Sequence, residues 1–518
     1  MSSTRGVVAA GHPATAQAAE AVLHEGGNAF DAIVAAHFAA CVAEPVLCSL
    51  AGGGFMLAVA NDAKPRIYDF FAQTPQQCRD PAELDFYPIL ADFGTAQQEF
   101  HIGLGAVAPP GSVRGLFEIH RDLCSMPMTR LAEPAIKLAK EGVRLNEFQA
   151  YIFGIIEPIY LATPASRTIY ADPDNPSRII GSGKLLQQHD QADFLDSLAR
   201  EGEDLFYRGE VAAAISQLSS KGGGHLRRTD LESYEVIKRK PLSIPYRNTQ
   251  VFINPPPSSG GLLIAFALDL LAQVNMAGYP FGSYAYLQLL ASTMELTNHA
   301  RLSTLASGTV HPDEAQLLNP EFLQQYREQI HGRARSFRGT THISVSDRHG
   351  NIASMTVSNG EGCGSMIPHT GVMLNNMLGE EDINPNGFHR WPLNQRMTSM
   401  MAPAVVLFEN GRRIAIGSGG SNRIRSAILQ VLVNLIDYNM SVEQAVNAPR
   451  IHLEGELLSI EDGFKPDVLK DIKAVYPKHT VWPNLNLFFG GAHTVMSDTG
   501  DFSASGDPRR GGVAVIAN

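Results

Sequence analysis

Cysteine is scarce in this chain. Its 518 residues hold only Cys41, Cys48, Cys78, Cys124 and Cys363, with no Cys-x-x-Cys pair. So odd and scattered a set suggests neither a disulfide framework nor a zinc site. Positive charge is also short: 41 Lys and Arg face 52 Asp and Glu, for a net charge of -11. That balance argues against nucleic acid, because phosphate binding needs a positive field. Long apolar runs are missing as well. The most apolar window, Ala29 to Val42, is interrupted by Asp31 and His37 and falls short of the ~20 residues that span a bilayer. Met1 to Ala10 has no basic segment followed by an apolar core, so no signal peptide is visible. Internal repeats and low-complexity tracts are absent too. These absences lead to the expectation of a soluble, cytoplasmic protein that engages neither membrane nor nucleic acid.

What is present describes a folded globular chain. Hydrophobic residues make up 44% of it, enough for a sizeable core. The length allows two or three ordinary domains or one large α/β unit. Helical spacing runs from Pro13 to Glu25 and stops at Gly26-Gly27; Asn28 opens a second helix of small residues that ends at Glu44-Pro45. Three glycines, Gly52 to Gly54, enter a strand over Met56 to Ala60, which Ile67 to Phe71 completes as a hairpin. Glycines at such a point permit close backbone approach. From Gly111 to Thr249 the pattern is mostly helical. Prolines 255–257 and Ser258-Ser259-Gly260-Gly261 then lead into a helix from Leu262 to Leu271, and Tyr284 to Leu305 is helical again.

A basic run, Arg333, Arg335 and Arg338, precedes an abrupt change at Gly339-Thr340-Thr341-His342. There Ile343 and Val345 alternate with Ser344 and Ser346, the period of a half-buried strand. Asp347 to Asn351 is a turn and Ile352 to Val357 a return strand. A Gly-Thr step is in itself an ordinary loop-to-strand junction. It has one chemical use: were the Gly339–Thr340 bond broken, Thr340 would carry an α-amine able to deprotonate its own hydroxyl.

Further on, Ile414 to Asn422 is a strand running through Gly417, Gly419 and Gly420 into a capped helix from Arg423 to Tyr438. Backbone N–H groups at such a helix start suit an anion, either an oxyanion or a phosphate. The third glycine of a dinucleotide fingerprint is missing, and so is a Gly-Lys-Ser/Thr. His342 and His349 flank the hairpin without a third ligand at useful spacing, so they read as structural histidines rather than a metal site. Asp507-Pro508-Arg509-Arg510-Gly511-Gly512 reads as a turn with exposed charge.

The order of these signals carries more than any one of them. Asn28-Ala29-Phe30-Asp31-Ala32, Gly52-Gly53-Gly54-Phe55-Met56, Pro255-Pro256-Pro257-Ser258-Ser259-Gly260-Gly261, Thr340-Thr341-His342-x-Ser344, Leu374-Asn375-Asn376, Thr398-Ser399-Met400-x-x-Pro403, Gly417-Ser418-Gly419-Gly420-Ser421 and Asp507-Pro508-Arg509 follow one another. This succession resembles the γ-glutamyltransferase (glutathione hydrolase) family over nearly the whole chain. The resemblance implies an α+β fold, the four-layer αββα sandwich of N-terminal-nucleophile hydrolases, and no cofactor or metal. It also implies one intertwined domain, residues 1–518, cut between Gly339 and Thr340 into a 1–339 large subunit and a 340–518 small subunit. A dimer of such heterodimers is one assembly compatible with it.

By the same likeness Thr340 is the nucleophile, Ser358 orients it, and Gly419 and Gly420 donate to the oxyanion. Thr398, Ser399, Asn359 and Glu380 fall in the substrate-binding set. One position departs from the pattern. Where glutathione-cleaving members carry an arginine that clamps the substrate's α-carboxylate, a bidentate task suited to Arg, this chain has Phe71. The expectation is therefore an acyl-enzyme amidohydrolase acting on a small amide other than glutathione, such as oxamate, with water or an amine as acceptor. The alternatives are a γ-glutamyltransferase in which Arg396 or Arg423 replaces the clamp, and an uncut, non-catalytic relative.

Overall fold

The computed structural model of the protein describes residues 4–61, 63–92, 97–306, 339–384 and 387–518. The basic run at Arg333, Arg335 and Arg338 lies outside them. Two antiparallel sheets form the centre. The first has seven strands in the order Ile237–Arg239, Arg66–Phe70, Gly53–Val59, Ile352–Ser358, Thr341–Asp347, Gly6–Ala10 and Val513–Ala517. The second has six: Leu242–Tyr246, Thr249–Ile253, Ala404–Phe408, Arg413–Gly419, Gly491–Asp498 and Asp501–Ser505.

Period-2 alternation divides the first sheet between two cores. Val8, Ala10, Met56, Ile343, Val345 and Met355 point outward and pack under the helices Pro13–His24 and Ala29–Ala43. Val7, Ala9, Phe55 and Leu57 point inward, toward the second-sheet face that carries Val405 and Ala415. The helices Ser259–Ala272 and Arg423–Ile436 close the far side. The result is the expected α+β, four-layer αββα sandwich.

Helix Ala29–Ala43 is buried along its whole length, which its alanines permit. Asn28 starts it by accepting from the Phe30 and Asp31 N–H groups, while the Asp31 carboxylate accepts from the Asn28 N–H, a reciprocal capping box.

Three expectations need correction. The strand Thr341–Asp347 is not half-buried, since all of its residues are inside. Ser344 faces the second sheet instead of water and donates to the His493 carbonyl at 3.1 Å. Polar residues alternate here because a second layer, not solvent, covers that face. The helix Arg423–Ile436 begins at Asn422 without any side-chain cap. Cys41 and Cys48 are not scattered: helix end and turn bring their sulfurs to 3.3 Å, and His37 joins them with ligand atoms all within 4.8 Å.

Candidate active site

Thr340 sits at the mouth of strand Thr341–Asp347, where the edge of the sandwich opens. Its neighbour anchors it. Thr341 Oγ1 donates to Glu44 Oε2 at 2.7 Å, and Thr15 Oγ1 donates to Glu44 Oε1 at 2.7 Å. Burial pushes the Glu44 carboxyl up, against the pull of these two hydroxyl bonds. Behind it, His342 is fully buried, bonded through Nδ1 to Thr356 Oγ1 and through Nε2 to Ser344 Oγ, both at 2.8 Å. Burial, and then the nearby His493, hold its pKa well below the ordinary value. His342 is therefore a neutral spacer between the sheets.

The Gly339–Thr340 peptide is held from both sides. The Gly339 N–H donates to Glu361 Oε1 at 3.0 Å. Its carbonyl oxygen accepts from Ser358 Oγ at 2.6 Å and from Thr340 Oγ1 at 2.7 Å. Ser358 Oγ in turn accepts from the Gly360 N–H at 3.0 Å, so a backbone donor fixes that hydroxyl. A carbonyl taking two short O–H bonds is polarised toward attack.

The glycine-rich strand end closes over this point. A Cβ at Gly417 would lie 2.4 Å from the His342 ring, and one at Gly419 only 2.1 Å from the Thr340 carbonyl oxygen. Gly420 has φ +122 and Ser421 φ +53, the second a strained value for a residue with a Cβ. Ser421 Oγ donates to Asp382 Oδ2 at 2.8 Å.

Thr340 opens onto a small recess. Gly339, Ser358, Ser399 and Ser421 contribute polar lining, Glu380 and Asp382 contribute carboxyl groups, and Phe71, Met377, Ile383, Met400, Met401 and Ile424 contribute apolar walls. No Lys, Arg or His is among the described lining residues. The fold thus gathers Thr340, Ser358, Glu380, Ser399 and Phe71 around one space. Four expected residues are not among its lining. Thr398 Oγ1 donates to the Pro257 carbonyl at 2.8 Å. The Asn359 amide packs against the Pro45 and Val46 carbonyls. Gly420 stands beyond the lining, and Gly419 meets the Thr340 backbone. Asp382 and Ser421 were not assigned from the sequence, although Asp382 lies two residues beyond Glu380 and Ser421 closes the quoted motif that holds Gly420.

Phe71 fills its place as core. It is 1% exposed and stacks on Phe55 with ring centroids 5.4 Å apart. Arg396 lies behind it rather than in the recess, bonded to the Phe71 carbonyl and the Tyr234 hydroxyl, 4.7 Å over the Tyr234 ring and 3.4 Å from Asp69 Oδ1. Arg423 is turned to Phe488, with Nε donating to its carbonyl at 3.2 Å. Neither arginine reaches the recess as an expected replacement clamp would. Asp507, Arg509 and Arg510 are also not exposed, as the turn reading had it; all three are buried. Arg509 pairs with Glu461 at 2.6 Å and Asp507 with Arg450 at 2.7 Å. Charges so paired tolerate burial that a lone charge does not.

The αββα sandwich with a threonine at the mouth of a central strand defines the class of N-terminal-nucleophile hydrolases. A cephalosporin acylase from Bacillus halodurans has the same fold, with a TM-score of 0.81 at 24% identity over 99% of this chain and 96% of that one. The family model for gamma-glutamyltranspeptidase matches residues 15–517, and this chain is a member of that enzyme family. A glutathione hydrolase proenzyme of Escherichia coli (strain K12) is 30% identical over 98% of this chain and 90% of its own length. The Acylase ACY 1 proenzyme of Pseudomonas sp. (strain SE83) is 30% identical over 91% of this chain and 87% of its own length.

Proposed function

We propose that this chain is the precursor of an amidohydrolase that cuts itself between Gly339 and Thr340 and then uses Thr340 as its nucleophile. The observation that carries the reading is the Gly339 carbonyl, held by Ser358 Oγ at 2.6 Å beside the Thr340 hydroxyl at 2.7 Å. In self-cleavage the Thr340 oxygen bonds to the Gly339 carbonyl carbon as the C–N bond breaks, the hydroxyl proton passes to the nitrogen, and water hydrolyses the resulting ester. The freed Thr340 amine then serves as base. In turnover Oγ1 attacks a substrate amide, the amine returns the proton to the leaving nitrogen, and water or an amine resolves the acyl-enzyme. Gly419 and Gly420 supply the backbone donors for the oxyanion. Residues 1–339 and 340–518 stay together as one unit, because strand Thr341–Asp347 is paired with Gly6–Ala10, and Ile352–Ser358 with Gly53–Val59.

The lining of the recess bears on the substrate. Glu380 and Asp382 line the recess, which has no described Lys, Arg or His to take the α-carboxylate of a γ-glutamyl group, and Phe71 stands in place of the clamp. Like charges at short range disfavour an anionic acyl group. Oxamate, whose carboxylate adjoins the scissile carbonyl, meets the same objection. The lining favours a small amide whose acyl group is apolar or carries an ammonium that Glu380 or Asp382 can bind. A pair of substrates that differ only in the carboxylate tests this. The processed enzyme is expected to turn over 4-aminobutyryl-p-nitroanilide with higher kcat/KM than γ-glutamyl-p-nitroanilide. The reverse preference would restore a glutamate-reading site.

A further inference from the structure

Three arginines converge near the C-terminus, but only two are neutralised. Asp507 Oδ2 takes Arg450 at 2.7 Å and the Ala492 N–H at 2.8 Å. Asp507 Oδ1 takes the Arg509 N–H at 3.1 Å and its guanidinium at 3.2 Å, and Glu461 takes Arg509 again. Arg510 receives none of these oxygens. It is 5% exposed, its Nε is buried without a partner, and no ion pair holds it among the described residues. A guanidinium buried in this way is costly to keep, and packing alone would be served by an uncharged side chain.

Its position gives the reason for keeping it. Arg510 lies along Gly491, and its two terminal nitrogens reach the glycine turn: Nη1 is 3.4 Å from where a Cβ of Gly419 would be, and Nη2 is 3.1 Å from the equivalent point on Gly420. The Thr340 carbonyl oxygen lies 2.1 Å from that same point on Gly419. Positive charge is thus fixed beside the two glycines of this turn, in a dry setting where its field is little screened.

We propose that Arg510 is a positioning residue for turnover, one that stabilises the oxyanion of the acyl-transfer step through the Gly419-Gly420 turn. The proposal rests on the reading of Thr340 as nucleophile and of this turn as its oxyanion site. It makes self-cutting and turnover separable. The carbonyl attacked in self-cutting, that of Gly339, is held by the Ser358 and Thr340 hydroxyls, whereas the glycine turn is assigned to the substrate's oxyanion.

The test uses full-length Arg510→Gln and Arg510→Lys, with self-cutting followed on denaturing gels and 4-aminobutyryl-p-nitroanilide as the turnover probe. Arg510→Gln is expected to cut itself to the wild-type extent and to lose kcat by roughly tenfold to a hundredfold, with KM little changed. Arg510→Lys, which keeps the charge, is expected to retain most of kcat. An unchanged kcat in Arg510→Gln would overturn the proposal, as would equal losses in the two variants. If neither variant cuts itself, Arg510 is structural and the proposal also falls. A failure of the Thr340 reading looks different: the wild type itself would remain uncut, or Thr340→Ala would still turn over.

Discussion

At Ser358 a single hydroxyl carries a role that can be isolated. It donates to the Gly339 carbonyl and is itself fixed by the Gly360 N–H. Ser358→Ala removes that donor without altering the backbone. Self-cutting of the variant is expected to slow by roughly a hundredfold or more, the range for losing one such donor. A time course of the uncut band on denaturing gels checks this, and wild-type speed in Ser358→Ala would remove the serine from the step. Phe71 makes the second residue-scale prediction. Phe71→Arg places a guanidinium at the wall of a recess that holds Glu380 and Asp382. It is expected to raise kcat/KM for γ-glutamyl-p-nitroanilide about tenfold or more relative to 4-aminobutyryl-p-nitroanilide. No change in that ratio would mean that Phe71 is not what excludes the glutamate carboxylate. That Thr340, Ser358 and Ser399 line one recess follows the expectation from the family resemblance, in which Thr340 and Ser399 stand in quoted motifs and Ser358 only follows the return strand. Arg510 was not legible in the sequence, because burial beside two better-paired arginines is a property of the fold and leaves no local pattern.

Among the elements, the two facing strands Thr341–Asp347 and Arg413–Gly419 set the site's dimensions. Gly417 is pressed against the His342 imidazole, with a would-be Cβ 2.4 Å from the ring. The ring cannot retreat, because Thr356 and Ser344 hold both nitrogens. Gly417→Ala is therefore expected to destabilise the protein by about 1–3 kcal/mol, the range for overpacking a tight core, read as a lower denaturation midpoint. An unchanged midpoint would mean that the two sheets are less closely seated than this geometry has them. Helices and strands were largely readable in advance. Ala404–Phe408 follows its apolar run, and Ala29–Ala43 follows Asn28 and its small residues. The face of Thr341–Asp347 was misread because alternation tells which side differs, not what lies there. A serine row under a second sheet looks the same in sequence as a serine row under water.

For the whole molecule, buried histidines and the C-terminal charge network set the response to pH. Burial holds His12, His225, His452 and His493 down to about 4 and holds His342 well below its ordinary value, whereas an ordinary histidine titrates near 6.5. Between these values the unfolded chain binds more protons than the folded one, so stability falls as pH drops from about 6.5 to about 4. Glu44, raised by burial, acts in the opposite sense but is outnumbered. Denaturant midpoints across that window are expected to decline steadily, and a flat profile would contradict the neutral state of these histidines. Burial alone would raise the Asp507 carboxyl, but Arg450 and Arg509 outweigh it and hold it well below the usual range. Its contribution is thus present at neutral pH and lost only in strong acid. Asp507→Asn, which strips charge from two buried arginines, is expected to cost about 3–5 kcal/mol at pH 7. A loss under ~1 kcal/mol would mean that the network is not a unit.

The αββα sandwich, the strands shared across position 340 and the polarised Gly339 carbonyl all support the one event proposed above, the cutting of a single peptide bond by the residue that follows it. Intact-mass analysis of purified wild type and Thr340→Ala measures that event directly. The account predicts two fragments from the wild type, the smaller beginning at Thr340, and a single 518-residue chain from Thr340→Ala. A wild type that stays whole after long incubation, or a Thr340→Ala chain that still separates at this bond, would contradict it.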